Sequence, residues 1–326
     1  METTSSREDA RWLSAAARLA ARSRPLSAPN PGVGAVVVRF GAIVGRGWTS
    51  AGGRPHAEAN ALKEAGNLAK GASVYVTLEP CAHASPRGPS CADLLVETGV
   101  SEVFIGCRDP DSRTDGAGIK RLEAAGIRVR LVKNEACYQS LAGYLMQRRS
   151  GRPHVTLKLA MSLDGKIALA DGSSRWITGE VSRNHVHARR AQSDAILVGG
   201  GTWRSDAPRL DVRLPGVENR SPRRILLSRG PAPEGVDTLA DPLEIATLDG
   251  ILYLYVEGGA ETAAAFLSHD LVDRLEIYRA PIVIGEGLSA IGDIGLSDLS
   301  GAHGRWRLVD TRPLGSDLFT AYERTR

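Results

Sequence analysis

Short apolar runs of β character alternate with stretches of helical periodicity along nearly the whole chain, and that alternation leaves few folds open. Residues 9–23 repeat their apolar positions at helical spacing, with Ser6 and Asp9 set as a capping box. Residues 33–38 and 42–47 are β-type runs on either side of Phe40-Gly41, the pattern of a hairpin. A helix is expected from His56, and then strand 73–78, helix 91–98, strand 102–107, helix 118–125, strand 128–132 and helix 135–147. Such an order predicts an α/β sandwich, partly parallel, with helices on both faces of the sheet.

The polar stretch Arg148-Arg149-Ser150-Gly151-Arg152-Pro153 then interrupts the pattern, and few contacts need cross a segment of that composition. It separates two domains, residues 1–149 and 152–326, as expected for 326 residues. The second half repeats the alternation with strand 154–161, helix 180–191, strands 195–198, 225–227 and 251–256, helix 261–267, and β-type runs from Leu275 onward. Residues 230–250 carry no clear pattern.

Composition narrows the class of function. No apolar run approaches the ~20 residues that span a bilayer, and the first residues lack the apolar core of a signal peptide, so no membrane association and a cytoplasmic location are expected. Four cysteines are too few for a disulfide scaffold. The net charge of +4 is scattered, which suits an anionic small molecule and gives no reason to expect nucleic acid.

The cysteines are informative by position. His56-Ala57-Glu58 opens a predicted helix; Pro80-Cys81 ends a strand region, and Cys91 begins the next helix. One His and two Cys make the three-ligand set of a catalytic zinc that keeps its fourth position for water, where a structural site would take four. Helix N-termini at His56 and Cys91 favour thiolate and developing negative charge. Glu58 would face that water without ligating the metal and could carry its proton to a departing amine. This is the His-x-Glu and Pro-Cys pattern of nucleobase deaminases, with a longer segment between the cysteines than their Cys-x-x-Cys. Cys107 and Cys137 read as buried thiols.

At this point the sequence resembles the bifunctional riboflavin-biosynthesis deaminase/reductase family. The resemblance is carried by Asn30-Pro31-Gly32-Val33-Gly34-Ala35, by His56-Ala57-Glu58 and by Val76-Thr77-Leu78-Glu79-Pro80-Cys81-Ala82-His83. It resumes at Leu157-Lys158-Leu159-Ala160-Met161-Ser162-Leu163-Asp164-Gly165-Lys166, at Trp176-Ile177-Thr178 and at Glu257-Gly258-Gly259. It implies a cytidine-deaminase-like α/β/α domain followed by a dihydrofolate-reductase-like α/β domain, with Zn2+ and NADPH as cofactors and a homo-oligomeric assembly. The substrate it implies is a pyrimidine ribosyl phosphate, deaminated by hydrolysis and then reduced from ribosyl to ribityl. Asn30 and His83 would hold that substrate in the deaminase, with Arg87 near the phosphate; Thr49 stands where members often carry a histidine.

In the reductase half, Gly199-Gly200-Gly201-Thr202 and Gly258-Gly259 each follow an apolar strand and can offer backbone N–H groups to phosphates. The resemblance implies cofactor contacts at Ala160, Trp176, Thr202, Asp206, Ser228 and Gly259, and substrate contacts at Ser174, Arg190, Leu210, Arg213 and Glu257, with Lys158 on the same strand nearby. Arg190 and Arg213 are of the type that binds a phosphate bidentately. Ser228-Arg229 is placed to favour NADPH over NADH, and residues 228–251 form a shorter span than in other members. Two other readings compete. A deaminase of free nucleosides or of an RNA base, with a divergent reductase-like half, leaves that half unexplained; a binding protein with a degraded site does not explain Glu58 beside an open ligand set.

Overall fold

The structure, a computed structural model, describes residues 7–83, 88–231 and 233–326. Ser6 of the expected capping box lies outside them. The chain divides into two compact units, Met1–Gly151 and Arg152–Arg326.

The first unit holds five strands: β1 (Gly34–Arg39), β2 (Ala42–Trp48), β3 (Ser73–Val76), β4 (Glu102–Ile105) and β5 (Arg128–Leu131). Their order is β2-β1-β3-β4-β5, with β1 antiparallel to both neighbours and β3, β4 and β5 parallel. Phe40 and Gly41 both take positive φ, 51° and 72°, the backbone of a two-residue hairpin turn that matches strand twist. The helices are α1 (Arg7–Ala20), α2 (Ala57–Ala65), α3 (Cys91–Thr98), α4 (Ala117–Ala124), α5 (Glu135–Ser140) and α6 (Ala142–Ser150). The stretch 135–147, expected as one helix, is therefore two. Leu141 leaves helical geometry at φ −102°, ψ 4°, and Gly143 in the following turn is a weak helix former.

α1 and α5 cover one face of the sheet, where Trp12, Leu13, Val36, Val38 and Cys137 bury around the stacked rings of Tyr75 and Phe104, 4.3 Å apart. α2 covers the opposite face at unusually close range. A Cβ on Gly47 would lie 2.0 Å from the Ala57 carbonyl oxygen, and one on Gly45 2.2 Å from that of Ala61, so only glycine lets this helix seat on β2. That seating fixes the helix start where His56 stands as N-cap.

The second unit is built on an eight-stranded sheet, β10-β9-β8-β11-β6-β12-β15-β14. Its strands are β6 (His154–Met161), β8 (Ala195–Gly199), β9 (Arg223–Leu227), β10 (Asp237–Leu239), β11 (Tyr253–Val256), β12 (Arg274–Arg279), β14 (Trp306–Leu314) and β15 (Asp317–Arg324). The run from β10 to β12 is parallel and the last two pairings antiparallel. A small ribbon pairs β7 (Lys166–Leu169) with β13 (Gly287–Ser289). α9 (Ala260–Ser268) buries Phe266 with Leu157, Leu197 and Val256 on one face, and α7 (Glu180–Arg190) buries Val186 with Val198, Tyr255 and Tyr278 on the other. A short helix, α8 (Gly200–Asp206), follows β8 directly. α8, β7, β10 and β13 were not expected: the helix opens on two glycines, and strands of three or four residues show no periodicity. No helix among the described residues is long and apolar enough to cross a membrane.

Candidate functional site

In the first unit, His56 caps α2, Cys81 lies just beyond β3, and Cys91 is the first residue of α3. Ser90 locks that last start, its Oγ accepting from the Asp93 amide and donating to the Asp93 carboxylate. His56 Nδ1 is 3.2 Å from Cys91 Sγ and 3.6 Å from Cys81 Sγ, and all three ligand atoms fall within 4.8 Å of one another. A tetrahedral zinc at about 2.1 Å from nitrogen and about 2.3 Å from sulfur would separate such atoms by roughly 3.6 Å, so the donor set fits the ion in both chemistry and spacing.

The three donor groups share protons among themselves, and a metal would displace those held by Cys91 and His56. Cys81 is brought down to about 4, first by the hydrogen bond from the Cys91 thiol and further by His56, while Cys91 keeps its proton as the donor to Cys81. Burial opposes charging of His56, but the Cys81 hydrogen bond and the Glu58 charge outweigh it and hold the imidazole above its usual range. Glu58, in the first turn of α2, is 3% exposed. Burial pushes its carboxyl up, against the pull of His56.

His56, Glu58 and Cys81 line a cavity of about 350 Å³ together with Asn30 and His83. Asn30 fits because Gly53, at φ 84°, has no Cβ: one would come within 2.0 Å of the Asn30 amide nitrogen. Thr49 ties the adjoining segment, donating to the Pro31 carbonyl and accepting from the Val33 amide. His83 Nδ1 is buried with no hydrogen-bond partner among the described residues. Arg87 lies outside the described residues.

The remaining wall was not anticipated. Asp109 and Asp111 come from the loop after β4, and Tyr144 and Arg148 project one turn apart from α6, with Tyr144 Oη donating to Asp109 at 2.7 Å. Arg148, read from sequence as part of a linker, is in the last turn of that helix. The usable signal was position, since the loop follows the carboxyl end of a parallel strand. Glu79 supports the same region. Its buried carboxylate accepts from the amides of Asp109, Gly116, Gly118 and Ile119.

In the second unit, the carboxyl ends of β8, β9 and β11 lie side by side, which in an open parallel sheet is where ligands bind. Gly200, Ser228 and Gly259 mark these ends. A Cβ on Gly259 would approach Thr202 Oγ1 at 3.7 Å, and one on Gly200 would meet Ser228 Oγ at 3.5 Å and Arg204 Nη1 at 3.0 Å. Thr202 and Asp206 are on α8, and Ala160 is near the end of β6. Arg204 was missed, because nothing in the sequence distinguishes it from other surface arginines.

Beside this cradle Glu257 accepts two hydrogen bonds from Arg190, at 2.6 and 3.0 Å, and stands 3.8 Å from Lys158 Nζ. Arg190 also donates to the Asp211 carbonyl at 3.0 Å, so much of its fork is already engaged. Burial lowers the Lys158 ammonium, while Arg190, followed by Lys158, holds Glu257 low against its own burial. Arg213 is half exposed and leans on Asp211 at 3.4 Å. Trp176 is 67% exposed, Ser174 is half-buried, and Leu210 is buried in the α7-side core with φ 55°.

Comparison with known proteins agrees with both halves. Residues 6–107 match the cytidine and deoxycytidylate deaminase zinc-binding region, and residues 153–320 match the RibD C-terminal domain. The chain is 36% identical to the riboflavin biosynthesis protein RibD of Aquifex aeolicus, over 97% of this chain and 98% of that protein. It is 39% identical to that of Mycobacterium tuberculosis, over 89% and 90% respectively. Among solved structures, Acinetobacter baumannii RibD superposes with a TM-score of 0.84 at 33% identity, covering 98% of this chain and 99% of that one. A diaminohydroxyphosphoribosylaminopyrimidine deaminase/5-amino-6-(5-phosphoribosylamino)uracil reductase from Thermotoga maritima gives 0.85 at 30% identity, with the same coverage. The chain thus belongs to the RibD family of riboflavin-biosynthesis proteins, in which a zinc-binding deaminase region is joined to an NADPH-dependent reductase domain.

Proposed function

We propose that the chain catalyses both steps itself: hydrolytic deamination of 2,5-diamino-6-ribosylamino-4(3H)-pyrimidinone 5′-phosphate, followed by reduction of the ribosyl chain to ribityl. The observation that carries the reading is the His56, Cys81 and Cys91 cluster opening on a cavity beside a buried Glu58. A deaminase of free nucleosides or RNA bases would not call for the RibD C-terminal domain over residues 153–320.

For the first step, His56, Cys81 and Cys91 would hold zinc, which when bound supplies a water made nucleophilic at neutral pH. Glu58 takes one proton from that water and delivers it to the departing amino group; a C–O bond forms, the C–N bond breaks, and ammonia leaves. Asn30 and His83 orient the pyrimidine against this pair, and the family resemblance assigns Arg87 to the phosphate.

For the second step, the carboxyl ends of β8, β9 and β11 would hold NADPH, which when bound supplies the reducing equivalent, with Ala160, Trp176, Thr202, Asp206, Ser228 and Gly259 as its contacts. Lys158, Arg190 and Glu257 form a fixed polar wall that positions the opened ribose, with Ser174, Leu210 and Arg213 bordering it. Lys158, whose ammonium is weakened by burial, is suited to deliver a proton. A cytoplasmic homo-oligomer belongs to the same reading and rests on family resemblance. Purified enzyme given the diaminopyrimidine substrate should release one ammonia and oxidise one NADPH per molecule consumed; NADPH oxidation without ammonia release would overturn the proposal.

A further inference from the structure

Three arginines line the cavity above the zinc ligands: Arg54, Arg113 and Arg148. Two of them already have an anion. Arg113 and Arg148 converge on the Asp111 carboxylate at 2.6 and 3.0 Å, and Asp111 is held well below the usual carboxylate range, first by its Arg113 hydrogen bond. Arg54 differs: among the described residues it makes no ion pair, hydrogen bond or ring contact.

Its backbone is nonetheless fixed. Gly53 N donates to Ser50 O and Ser50 N to Pro55 O, closing a short turn in which Gly52 and Gly53 take φ 73° and 84°. The turn presents Arg54 in extended geometry directly before the start of α2, with Gly88 beside its guanidinium. A half-buried guanidinium facing a cavity, with no partner among the described residues, has lost water without gaining an anion from them, and an incoming phosphate monoester, carrying roughly −1.5 to −2 charges, supplies one.

We propose that Arg54 reads the 5′-phosphate of the deaminase substrate and makes this site select a phosphorylated ribosyl pyrimidine over the free nucleoside. The inference rests on the deaminase reading above and adds a specificity residue to it. A guanidinium–phosphate hydrogen bond in such a setting separates the two substrates by roughly 10- to 100-fold.

The test measures kcat/KM of the zinc-loaded full chain on the ribosyl phosphate and on its dephosphorylated nucleoside, for wild type, Arg54→Ala and Arg54→Lys. In Arg54→Ala the ratio of the two values should fall about 10- to 100-fold, mainly through KM for the phosphorylated compound, and Arg54→Lys should recover part of it. An unchanged ratio, or loss of zinc from Arg54→Ala, would overturn the proposal. Calorimetric titration with ribose 5-phosphate gives a readout independent of turnover. If wild type deaminates neither compound, the deaminase reading fails; weaker sugar-phosphate binding in Arg54→Ala would still support the subsite, and equal binding would overturn it.

Discussion

Replacing Glu257 by Gln tests how the reductase wall is held together. Glu257, Arg190 and Lys158 have side chains only 10%, 12% and 18% exposed, and Glu257 is the carboxylate both cations face. The amide keeps the volume but removes the charge, leaving two buried cations side by side, with the Asp211 carbonyl still bonded to Arg190. Breaking a buried pair from one side costs about 3–5 kcal/mol. For a unit of this size that corresponds to a melting temperature about 6–20 °C lower. Differential scanning calorimetry of the full chain should show the second unit's transition shift by that amount and the first unit's stay in place. The pH dependence follows from the sign of the shift. Because Glu257 is held low in the folded protein, its contribution is complete above the unfolded value of about 4.3 and disappears as pH falls through the folded one. The gap between wild type and variant should therefore be full at pH 7 and close only in acid. A shift under about 2 °C at neutral pH would refute the idea that this carboxylate neutralises the wall.

Three further outcomes follow from the geometry. Cys81→Ser should lose zinc by atomic absorption and deamination with it, because the thiolate shared with His56 and Cys91 is gone. Ser228→Ala should narrow the preference for NADPH over NADH by about tenfold in kcat/KM, as expected for one hydrogen bond to a charged phosphate; an unchanged ratio would place the 2′-phosphate elsewhere. Gly47→Ala should lower thermal stability by about 1–3 kcal/mol and weaken zinc retention, since its new methyl would meet the Ala57 carbonyl at 2.0 Å and push away the helix that His56 caps.

The strands and helices that carry the chemistry were legible in the sequence because they are long or sharply bounded. The Phe40-Gly41 turn, the hairpin around it and the helix starts at His56 and Cys91 all follow from local residue chemistry. The three candidate metal ligands could be grouped because their spacing places each at an element boundary. What stayed hidden depends on the tertiary fold. Tyr144 and Arg148 reach the cavity only because α6 returns beside the loop of Asp109 and Asp111, and no pattern in residues 142–150 announces that. Arg190 looks in sequence like a phosphate ligand on a polar helix, yet in the fold Glu257 and the Asp211 carbonyl take much of its hydrogen-bonding fork. The three-residue strands β10 and β13 acquire their conformation from pairing with β9 and β7.

The central claim is that one chain carries a zinc deaminase and a separate reductase, and the Glu58→Gln variant tests it most directly. The substitution keeps His56, Cys81 and Cys91 and removes only the carboxylate that moves the proton, so zinc content should match wild type. Ammonia release from the diaminopyrimidine ribosyl phosphate should fall by ~10²- to 10⁴-fold, while NADPH oxidation with the deaminated aminouracil ribosyl phosphate should continue at the wild-type rate. Loss of both activities in a folded, zinc-loaded Glu58→Gln protein, or deamination that survives the change, would contradict the account.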